Sequence, residues 1–509
     1  MAGKFEIRSG LLARNIILNL AGMSVPLFVG VITIPILVRG LGIERFGALI
    51  LTWTVVGYMG LLDFGLGRAL TQLVAERLGR GQFESVPSLV WTSLILIFAL
   101  GTAGGGILVL ISPFLIHSVL KIPAALQAET LKASYIVAIS IPFVLDVTGL
   151  RGVLEAFQRF GLSNAIRIPT GAFSFLGPLL VLHFSHSLVP MVSVIVAGRV
   201  VSWLVYLGAC FRVLPELLLK MEFNPSELKT LLSFGGWVTV SNIIGPVMMY
   251  FDRFLIGAVI SLAAVAYYAT PFDAVTKVGV VAVAMSGVLY PAFATFYASD
   301  RAKSALLLEK GTKYLFIMVF PIIVLIEGFA HNGLAFWLGE GFAKHGDRVL
   351  QWLAIGVFMN SLVQIPYGLI QGAGRPDITA KLHLVELPFY LLTVWWLVHA
   401  GGVEGVAVAW TARVTVDTLM LFIIALRLLP RDAVRLTRGV KSLGLWLFLL
   451  PAVAYLGHEL VVRALIVLSI IICFMFSAWL LILSGEERIL FRGRLRGVTS
   501  LVQPSGERL

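Results

Sequence analysis

The sequence predicts an all-α, polytopic membrane protein with about fourteen transmembrane helices. Of its 509 residues, 59% are hydrophobic and only 13% are charged, and the mean hydropathy is +0.95. Soluble globular chains are about 45–50% apolar and about 25% charged, so hydrocarbon must surround most of this chain. The apolar residues also form runs of about the 20 residues that a helix needs to cross a bilayer.

The apolar runs are separated by short polar breaks that often contain Gly or Pro. The first run follows a basic segment, but it is too long for a signal peptide and no small-x-small cleavage site follows it. We therefore interpret it as the first membrane helix. The predicted spans lie at about 15–38, 47–67, 87–112, 131–150, 168–184, 189–211, 231–251, 264–289, 314–330, 349–370, 378–399, 402–426, 442–457 and 464–484.

The charge distribution predicts the orientation of these spans. The chain has 39 Lys and Arg residues against 27 Asp and Glu residues, a formal charge of +12. If the N-terminus is cytoplasmic, most of the basic residues fall in the inner loops and the tail, as cytoplasmic segments of membrane proteins require. Both termini are therefore predicted to be cytoplasmic. The basic surplus then reports topology, and it predicts no nucleic-acid partner.

Other classes of protein are disfavoured by what the sequence lacks. Cys210 and Cys473 lie in or beside apolar segments, with no disulfide framework and no metal-ligand spacing. We find no GxxxxGK[ST] phosphate loop, and no loop is long enough for a nucleotide-binding domain. The sequence therefore predicts a transporter without a cofactor or a metal, and not an ATP-driven pump.

Similar segments recur at offsets of roughly 215 to 219 residues, a spacing that suggests an internal repeat. The stretch 41–49 resembles 260–268, and the Arg-Val pair at 199–200 resembles that at 413–414. We therefore predict an N-lobe over residues 1–220 and a C-lobe over 221–430, each of six helices. Residues 431–509 contain two extra helices and a basic cytoplasmic tail. In repeats of this kind the substrate binds between the lobes, near the middle of the membrane.

A series of short motifs occurs in one order along residues 10–430. These motifs are NIILNL at 15–20, TIPIL at 33–37, LGIERFG at 41–47, LLDFGLGRAL at 61–70, FDRFLIG at 251–257, LYPAF at 289–293, WLGE at 337–340 and QGAGRP at 371–376. The set resembles the bacterial polysaccharide or oligosaccharide flippases of the multidrug/oligosaccharidyl-lipid/polysaccharide exporter superfamily.

The resemblance implies a function and a location. Such proteins move undecaprenyl-pyrophosphate-linked oligosaccharide repeat units from the cytoplasmic to the periplasmic leaflet of the bacterial inner membrane. Two lobes open a central cavity to each side in turn, and the product is polymerised into O-antigen or exopolysaccharide. A monomer that works beside a polysaccharide polymerase and a chain-length regulator is expected. No covalent bond is made or broken, so the chain is not expected to be an enzyme.

Three basic residues fall within predicted helices: Arg199, Lys277 and Arg413. A charge at mid-membrane costs about 2.5–3.5 kcal/mol on insertion scales, so such residues are functional candidates. Arg199 and Arg413 occupy equivalent positions in the two repeats, and guanidinium groups suit bidentate phosphate recognition. We predict that these three cations line the cavity and contact the pyrophosphate.

Acidic residues in the same helices are candidates for ion coupling. Glu386 lies in a predicted span and is suited to bind a proton or Na⁺; the alternative is a charge partner for Arg413 or Lys277. Asp417 lies one helical turn from Arg413, and Asp273 one turn from Lys277, so each also qualifies as a neutralising partner.

Charged residues near the predicted helix ends are candidates for gates. Asp252 and Arg253 are adjacent in sequence, so they do not share a helix face and each needs its own partner. They are assigned to an outward gate. The inward gate is predicted to consist of ion pairs among Asp63, Arg68, Asp146 and Arg151. Ordinary interfacial charges are the alternative for both sets.

Two other functions fit parts of the pattern. A cation-coupled multidrug or toxic-compound antiporter of the same fold would use Asp273, Glu386 and Asp417 to bind cations. A membrane-embedded glycan polymerase or ligase also handles lipid-linked sugars, but its catalytic residues would need a longer outer loop than this chain has.

Overall fold

The computed structural model describes residues 25–26, 28–59, 65–219, 221–430, 438–453, 459–485 and 487–488. Across these segments the chain forms helices and turns and no β-strand. Eight of the described helices are long and apolar enough to cross a membrane. The all-α, multi-pass fold class is therefore confirmed, while the count of fourteen helices stays a prediction.

The chain divides into two compact units. The first unit is Met1–Ala269 with Val398–Val403, and the second is Thr270–Leu397 with Glu404–Leu509. The predicted lobe boundaries, at 220 and 430, stay a prediction. The helices within the first unit are α1 (Phe28–Leu41), α2 (Ile43–Met59), α3 (Leu66–Gly79), α4 (Val86–Phe114), α5 (Ala124–Ala156), α6 (Phe160–Leu182), α7 (Leu188–Val213), the short α8 (Glu216–Leu219) and α9 (Pro225–Val259).

The first unit is built around α5, which packs against α4 and α7. Glycines allow α4 to approach it closely: a Cβ at Gly101 would lie 2.5 Å from the Cα of Pro142, and one at Gly105 would lie 2.6 Å from the carbonyl oxygen of Ala138. Any larger side chain would force the helices apart. α4 and α5 therefore meet backbone to backbone.

The position of α9 in this unit is fixed by contacts with α3. Arg77 on α3 forms an ion pair with Glu227 on α9 at 2.6 Å, and both side chains are largely buried. The side chain of Asn224 caps α9 by accepting a hydrogen bond from the Ser226 amide. The start of α9, the helix that contains the predicted span at 231–251, therefore packs against α3.

The helix α10 (Leu262–Val275) passes from the first unit into the second. The remaining helices are α11 (Val280–Ser299), α12 (Arg301–Leu338), α13 (Glu340–Leu362), α14 (Gln364–Gly372), α15 (Pro376–Leu428), α16 (Arg438–Val453) and α17 (Leu460–Ser477). A 3₁₀ turn at Thr276–Gly279 separates α10 from α11. The predicted continuous span at 264–289 is wrong in this respect, because hydropathy does not report the hydrogen-bond register.

Two of these helices are bent. The backbone of α12 departs from helical geometry at Phe329, and that of α15 does so at Gly402, where φ is +56°. The second bend divides α15 into a first arm, 376–401, and a second arm, 403–428. These arms match the predicted spans at 378–399 and 402–426.

The last two helices pack onto the second unit through aromatic side chains. Phe320 of α12 lies 4.3 Å, centroid to centroid, from Phe474 of α17 and 5.8 Å from Trp446 of α16. After α17, Glu487 returns to α12 and forms a buried ion pair with Lys313 at 2.7 Å. Lys313 was predicted to lie in a loop, but α12 begins at Arg301 and encloses it.

Candidate functional site

The bend in α15 brings charged side chains of two helical arms together. Only glycine adopts the backbone geometry of Gly402 without strain. Three residues later, a Cβ at Gly405 would lie 2.0 Å from the carbonyl oxygen of Leu397, so the arms approach closely. The first arm contributes His383 and Glu386 to the site, and the second arm contributes Arg413 and Asp417.

Four side chains of α15 form what we name the α15 cluster: His383, Glu386, Arg413 and Asp417. The Arg413 Nη1 atom lies 3.9 Å from a Glu386 carboxylate oxygen, and His383 Nε2 lies 3.7 Å from Asp417 Oδ1. Glu386 is 8% exposed and Asp417 is 6% exposed. Arg413 also stacks over the ring of Tyr390, whose centroid is 5.5 Å from its Cζ atom.

The α15 cluster is not electrically balanced. With a neutral imidazole at His383, the two carboxylates and the single guanidinium leave one excess negative charge. Both carboxylate oxygens of Glu386 and one of Asp417 are enclosed without a hydrogen-bond donor among the described residues. A buried charge in this condition is costly, and a proton or a bound cation relieves it. The cluster is therefore suited to take up positive charge.

The ligand atoms available to a cation are close together. One atom from each of His383, Glu386 and Asp417 lies within 4.8 Å of the others. Imidazole nitrogen and carboxylate oxygen are ligands that divalent metals accept. Arg413 opposes a metal here, because its positive charge already lies beside Glu386. Protonation of one carboxylate adds less positive charge than a divalent metal ion does, and it needs no set of coordinating ligands.

The first unit contains a different polar group, centred on α7. Arg199 is partly buried, and its Nε atom is enclosed with no hydrogen-bond partner among the described residues. Trp203, one turn along the helix, donates a hydrogen bond from Nε1 to Asp146 on α5 at 2.6 Å. Thr170 on α6 donates to Ser202 at 3.1 Å. Ser202 and Trp203, which follow Arg199 within one turn of α7, are therefore hydrogen-bonded to residues of neighbouring helices.

The two arginines that the sequence predicts to occupy equivalent positions have different surroundings. Arg413 lies beside Glu386 and Tyr390, whereas no ion pair joins Arg199 to any carboxylate in the described part of the chain. The Nε atoms of both arginines lack a hydrogen-bond partner among the described residues, so the carboxylate beside Arg413 is what distinguishes the two.

Asp252 and Arg253 are buried within α9. Asp252 is fully buried and accepts a hydrogen bond from the Tyr268 hydroxyl. Arg253 is 3% exposed, donates to Thr54 at 3.1 Å, and lies over the ring of Tyr250 at 5.2 Å. The adjacent charges therefore have separate partners on α2 and α10. Their assignment to an outward gate stays a prediction.

The inward gate of ion pairs among Asp63, Arg68, Asp146 and Arg151 stays a prediction, and the structure describes the contacts of two of these residues. Arg151 pairs with Glu155 at 3.3 Å, while the partner of Asp146 is the indole of Trp203. Residues five apart on a helix point about 140° away from each other, whereas residues four apart share a face. Asp63 and the side chain of Arg68 lie outside the described residues.

Lys277 and Asp273 are both exposed at the junction of α10 and α11. Lys277 belongs to the 3₁₀ turn, so the α-helical spacing that suggested an ion pair with Asp273 does not apply between them. Neither residue lies in a buried charge cluster. A substrate contact by Lys277 stays a prediction.

One buried acid was missed by the sequence analysis. Glu327 of α12 is 1% exposed and lies within an apolar run. The rule that singled out Glu386, a carboxylate at membrane depth, would have found Glu327 as well. Tyr390 was missed too, because a tyrosine among apolar residues carries no charge signal in sequence.

Comparison with known proteins identifies the family of this chain. Residues 12–297 match the family model described as polysaccharide biosynthesis protein. The chain belongs to this family. A protein of Shigella flexneri, whose name describes it as a candidate O-antigen transporter, is 29% identical to this chain over 411 residues. The match covers 80% of this chain and 96% of that relative.

Solved structures show which fold this family member has. An inward-facing multidrug transporter of the MATE family aligns with a TM-score of 0.68 and 17% identity, covering 80% of this chain and 98% of the other. The lipid II flippase MurJ, in an inward closed conformation, aligns with a TM-score of 0.66 and 14% identity, covering 91% of this chain and 99% of the other. The chain therefore has the same fold as these two transporters.

Proposed function

We propose that this chain is a flippase that moves undecaprenyl-pyrophosphate-linked oligosaccharide repeat units from the cytoplasmic to the periplasmic leaflet by alternating access. The observation that carries the proposal is the match to the Shigella flexneri protein, which extends over 96% of that relative. The family description, polysaccharide biosynthesis protein, agrees with the same substrate class.

Arg199 is our candidate for the contact with the pyrophosphate. Its enclosed Nε atom has no partner among the described residues, so an anion can be bound without breaking an existing ion pair. Arg413 has a carboxylate beside it, and in our proposal it takes part only when that carboxylate is protonated. Lys277, exposed at the α10–α11 junction, is assigned to capture of the anion rather than to a buried site.

The α15 cluster is our candidate for coupling to an ion gradient. Uptake of one proton by Glu386 or Asp417 would remove the excess negative charge, and a proton on Glu386 would also release Arg413 from its electrostatic attraction to that carboxylate. In this scheme protonation of the cluster and binding of the pyrophosphate favour the same state. Na⁺ is a second candidate ion, because carboxylate oxygens also suit a hard cation.

The proposal also places the protein in its cell. The chain would lie in the bacterial inner membrane with cytoplasmic termini, as the positive-inside distribution predicts. A polysaccharide polymerase and a chain-length regulator would act on the product, and the flippase itself would work as a monomer.

The test is reconstitution of the full chain into proteoliposomes with a fluorescent lipid-linked oligosaccharide. Translocation exposes the glycan to a glycosidase added outside, so the exposed fraction is followed against time. We expect Arg199→Ala to reduce the initial rate at least about tenfold, the effect of losing a charge-assisted hydrogen bond, and Arg199→Lys to retain part of it. Arg212→Ala, at the end of the same helix, is the matched control. Equal rates for Arg199→Ala and wild type would exclude the pyrophosphate contact.

A cation-coupled antiporter of organic cations is the second candidate function. It is favoured by the excess negative charge of the α15 cluster and by the fold shared with the MATE transporter. The same proteoliposomes distinguish the two candidates. An antiporter would move an organic cation against an imposed proton or sodium gradient and leave the lipid-linked glycan in its original leaflet.

A further inference from the structure

A second buried carboxyl group lies away from the α15 cluster, in the middle of α12. Glu327 is 1% exposed, and both of its carboxylate oxygens are enclosed without a hydrogen-bond partner among the described residues. A carboxylate with neither water nor a donor is strongly disfavoured in an apolar interior, whereas the neutral acid is tolerated. A metal ion would need several oxygen ligands at this point, but a proton needs none.

The backbone at Glu327 is also unusual. The side chain of Gln351 on α13 donates a hydrogen bond to the Glu327 carbonyl oxygen at 3.0 Å. Two residues later, at Phe329, α12 departs from helical geometry. A side chain that hydrogen-bonds into the carbonyl ladder of a helix is a recognised cause of a bend. The enclosed carboxyl group therefore lies two residues before the point at which α12 bends.

The helices packed around this point leave little room. A Cβ at Gly328 would lie 2.4 Å from a methyl carbon of Val467 on α17 and 3.7 Å from Val453 on α16. One turn further along, Arg463 of α17 donates to Asn332 at 3.0 Å. The bend is therefore held between α13 on one side and α16 and α17 on the other. α11 and α14 pack near Gly311, at the other end of α12.

Charged groups face this region from α12, α13 and α17. On α13, Arg348 is the cation whose charge acts on the Glu327 carboxyl group, and Asp347 accepts from His331 of α12 at 3.0 Å. His331 also contacts Glu340 at 3.2 Å. On α17 the cation is Arg463, which is engaged with Asn332. At Val453 of α16 the described side chain is apolar.

We propose that Glu327 is a proton-binding site, occupied in this conformation, and that loss of its proton changes the bend of α12. On deprotonation the proton passes to water, and the new carboxylate moves towards Arg348, the facing cation. Because the carbonyl of the same residue is bonded to Gln351, this movement displaces the bend at Phe329. The site is separate from the α15 cluster, and it does not depend on which substrate the protein carries.

The bend can be measured directly with spin labels on either side of it. Met318 and Phe336 of α12 are exposed, at 52% and 92%, so Met318→Cys and Phe336→Cys accept labels without disturbing the core. Exposed Cys473 is replaced by Ser, while buried Cys210 is retained. The label-to-label distance is then recorded by pulsed electron paramagnetic resonance on the full chain in lipid nanodiscs, from about pH 5 to about pH 9.

We expect the distance in the otherwise native chain to shift as the pH rises. Glu327→Gln, a neutral side chain of the same shape, should hold the low-pH distance throughout. Glu309→Gln on the same helix is the matched control and should behave like the parent. A shift that persists in Glu327→Gln, or a parent that shows no shift, would overturn the link between the proton and the bend.

Infrared spectroscopy supplies an independent measurement of the proton itself. At neutral pH the native protein should show the C=O stretch of a protonated carboxylic acid, and Glu327→Gln should lose the part of that band that Glu327 contributes. If the difference between the two spectra contains only carboxylate bands, then Glu327 is ionised and the proposed site is wrong. Neither measurement requires transport activity, so failure of the flippase proposal would leave both outcomes interpretable.

Discussion

The guanidinium of Arg413 and the carboxylate of Glu386 lie 3.9 Å apart on the two arms of α15. The two arms are joined at Gly402, where the helix bends. Glu386 lies 16 positions before Gly402 and Arg413 lies 11 positions after it, so their proximity depends on how the arms are aligned. The pair forms the centre of a buried cluster with one excess negative charge. Its energetic behaviour should therefore differ from that of a simple salt bridge.

Removal of Arg413 should cost more than removal of both partners. Arg413→Met leaves two buried carboxylates without a cation, and we expect the free energy of unfolding to fall by about 3 kcal/mol. Arg413→Met combined with Glu386→Gln should recover at least half of that loss, because only Asp417 then stays ionised. Thermal unfolding in detergent measures both variants. Additive losses in the double variant would show that the two residues are not coupled.

Substitution at the bend of α15 should be destabilising in a position-specific way. Gly402→Ala places a Cβ on a backbone with φ of +56°, and we expect a cost of about 1 to 3 kcal/mol. Gly401→Ala is the control, since a Cβ there meets no atom within 4 Å. Equal melting temperatures for the two variants would contradict a strained geometry at Gly402.

The ion pair between Lys313 and Glu487 should make stability depend on pH. Burial alone would raise the pKa of Glu487, but hydrogen bonds from Lys313 and Tyr314 outweigh it and hold that pKa at about 2, below its ordinary 4.5. A lowered pKa means that the stabilisation is complete above the ordinary value and is lost as the pH falls towards about 2. The melting temperature of wild type minus that of Glu487→Gln should be positive at neutral pH and shrink on acidification. A constant difference would exclude the linkage.

The buried contacts of Asp252 can be tested through Tyr268. Tyr268→Phe removes the hydroxyl that donates to the Asp252 carboxylate, and we expect a loss of about 1 to 3 kcal/mol because the acceptor is fully buried. The exposed Tyr290 provides the control substitution to Phe. If Asp252 and Arg253 form an outward gate, Tyr268→Phe should also raise leakage of a small fluorophore from proteoliposomes, whereas Tyr290→Phe should not.

Sequence reasoning predicted the helical membrane fold and most span positions, because hydropathy depends only on composition along the chain. It also selected Arg413, Glu386 and Asp417 as interacting groups. The sequence marked Asp417 as a neutralising partner of Arg413 one turn away, but it did not show that Glu386 and Tyr390 also lie beside Arg413, because these contacts depend on how the arms of α15 are aligned.

Other features depended on helix length and backbone geometry. Lys313 was placed in a loop because hydropathy falls at the charged start of α12, although the helix continues to Arg301. The 3₁₀ turn that carries Lys277 has no compositional mark. Both errors concern where a helix begins or is interrupted, and hydrogen-bond register determines this more than apolar content does.

The backbone contact between α4 and α5 limits how the first unit can change shape. Gly101 and Gly105 leave no side-chain layer between the two helices, so they cannot slide along each other without opening voids or creating overlaps. In any transport cycle these helices must therefore travel as one rigid element. Conformational change in this unit has to occur at its other helix contacts or within bent segments, and cross-links between α4 and α5 should leave the cycle intact.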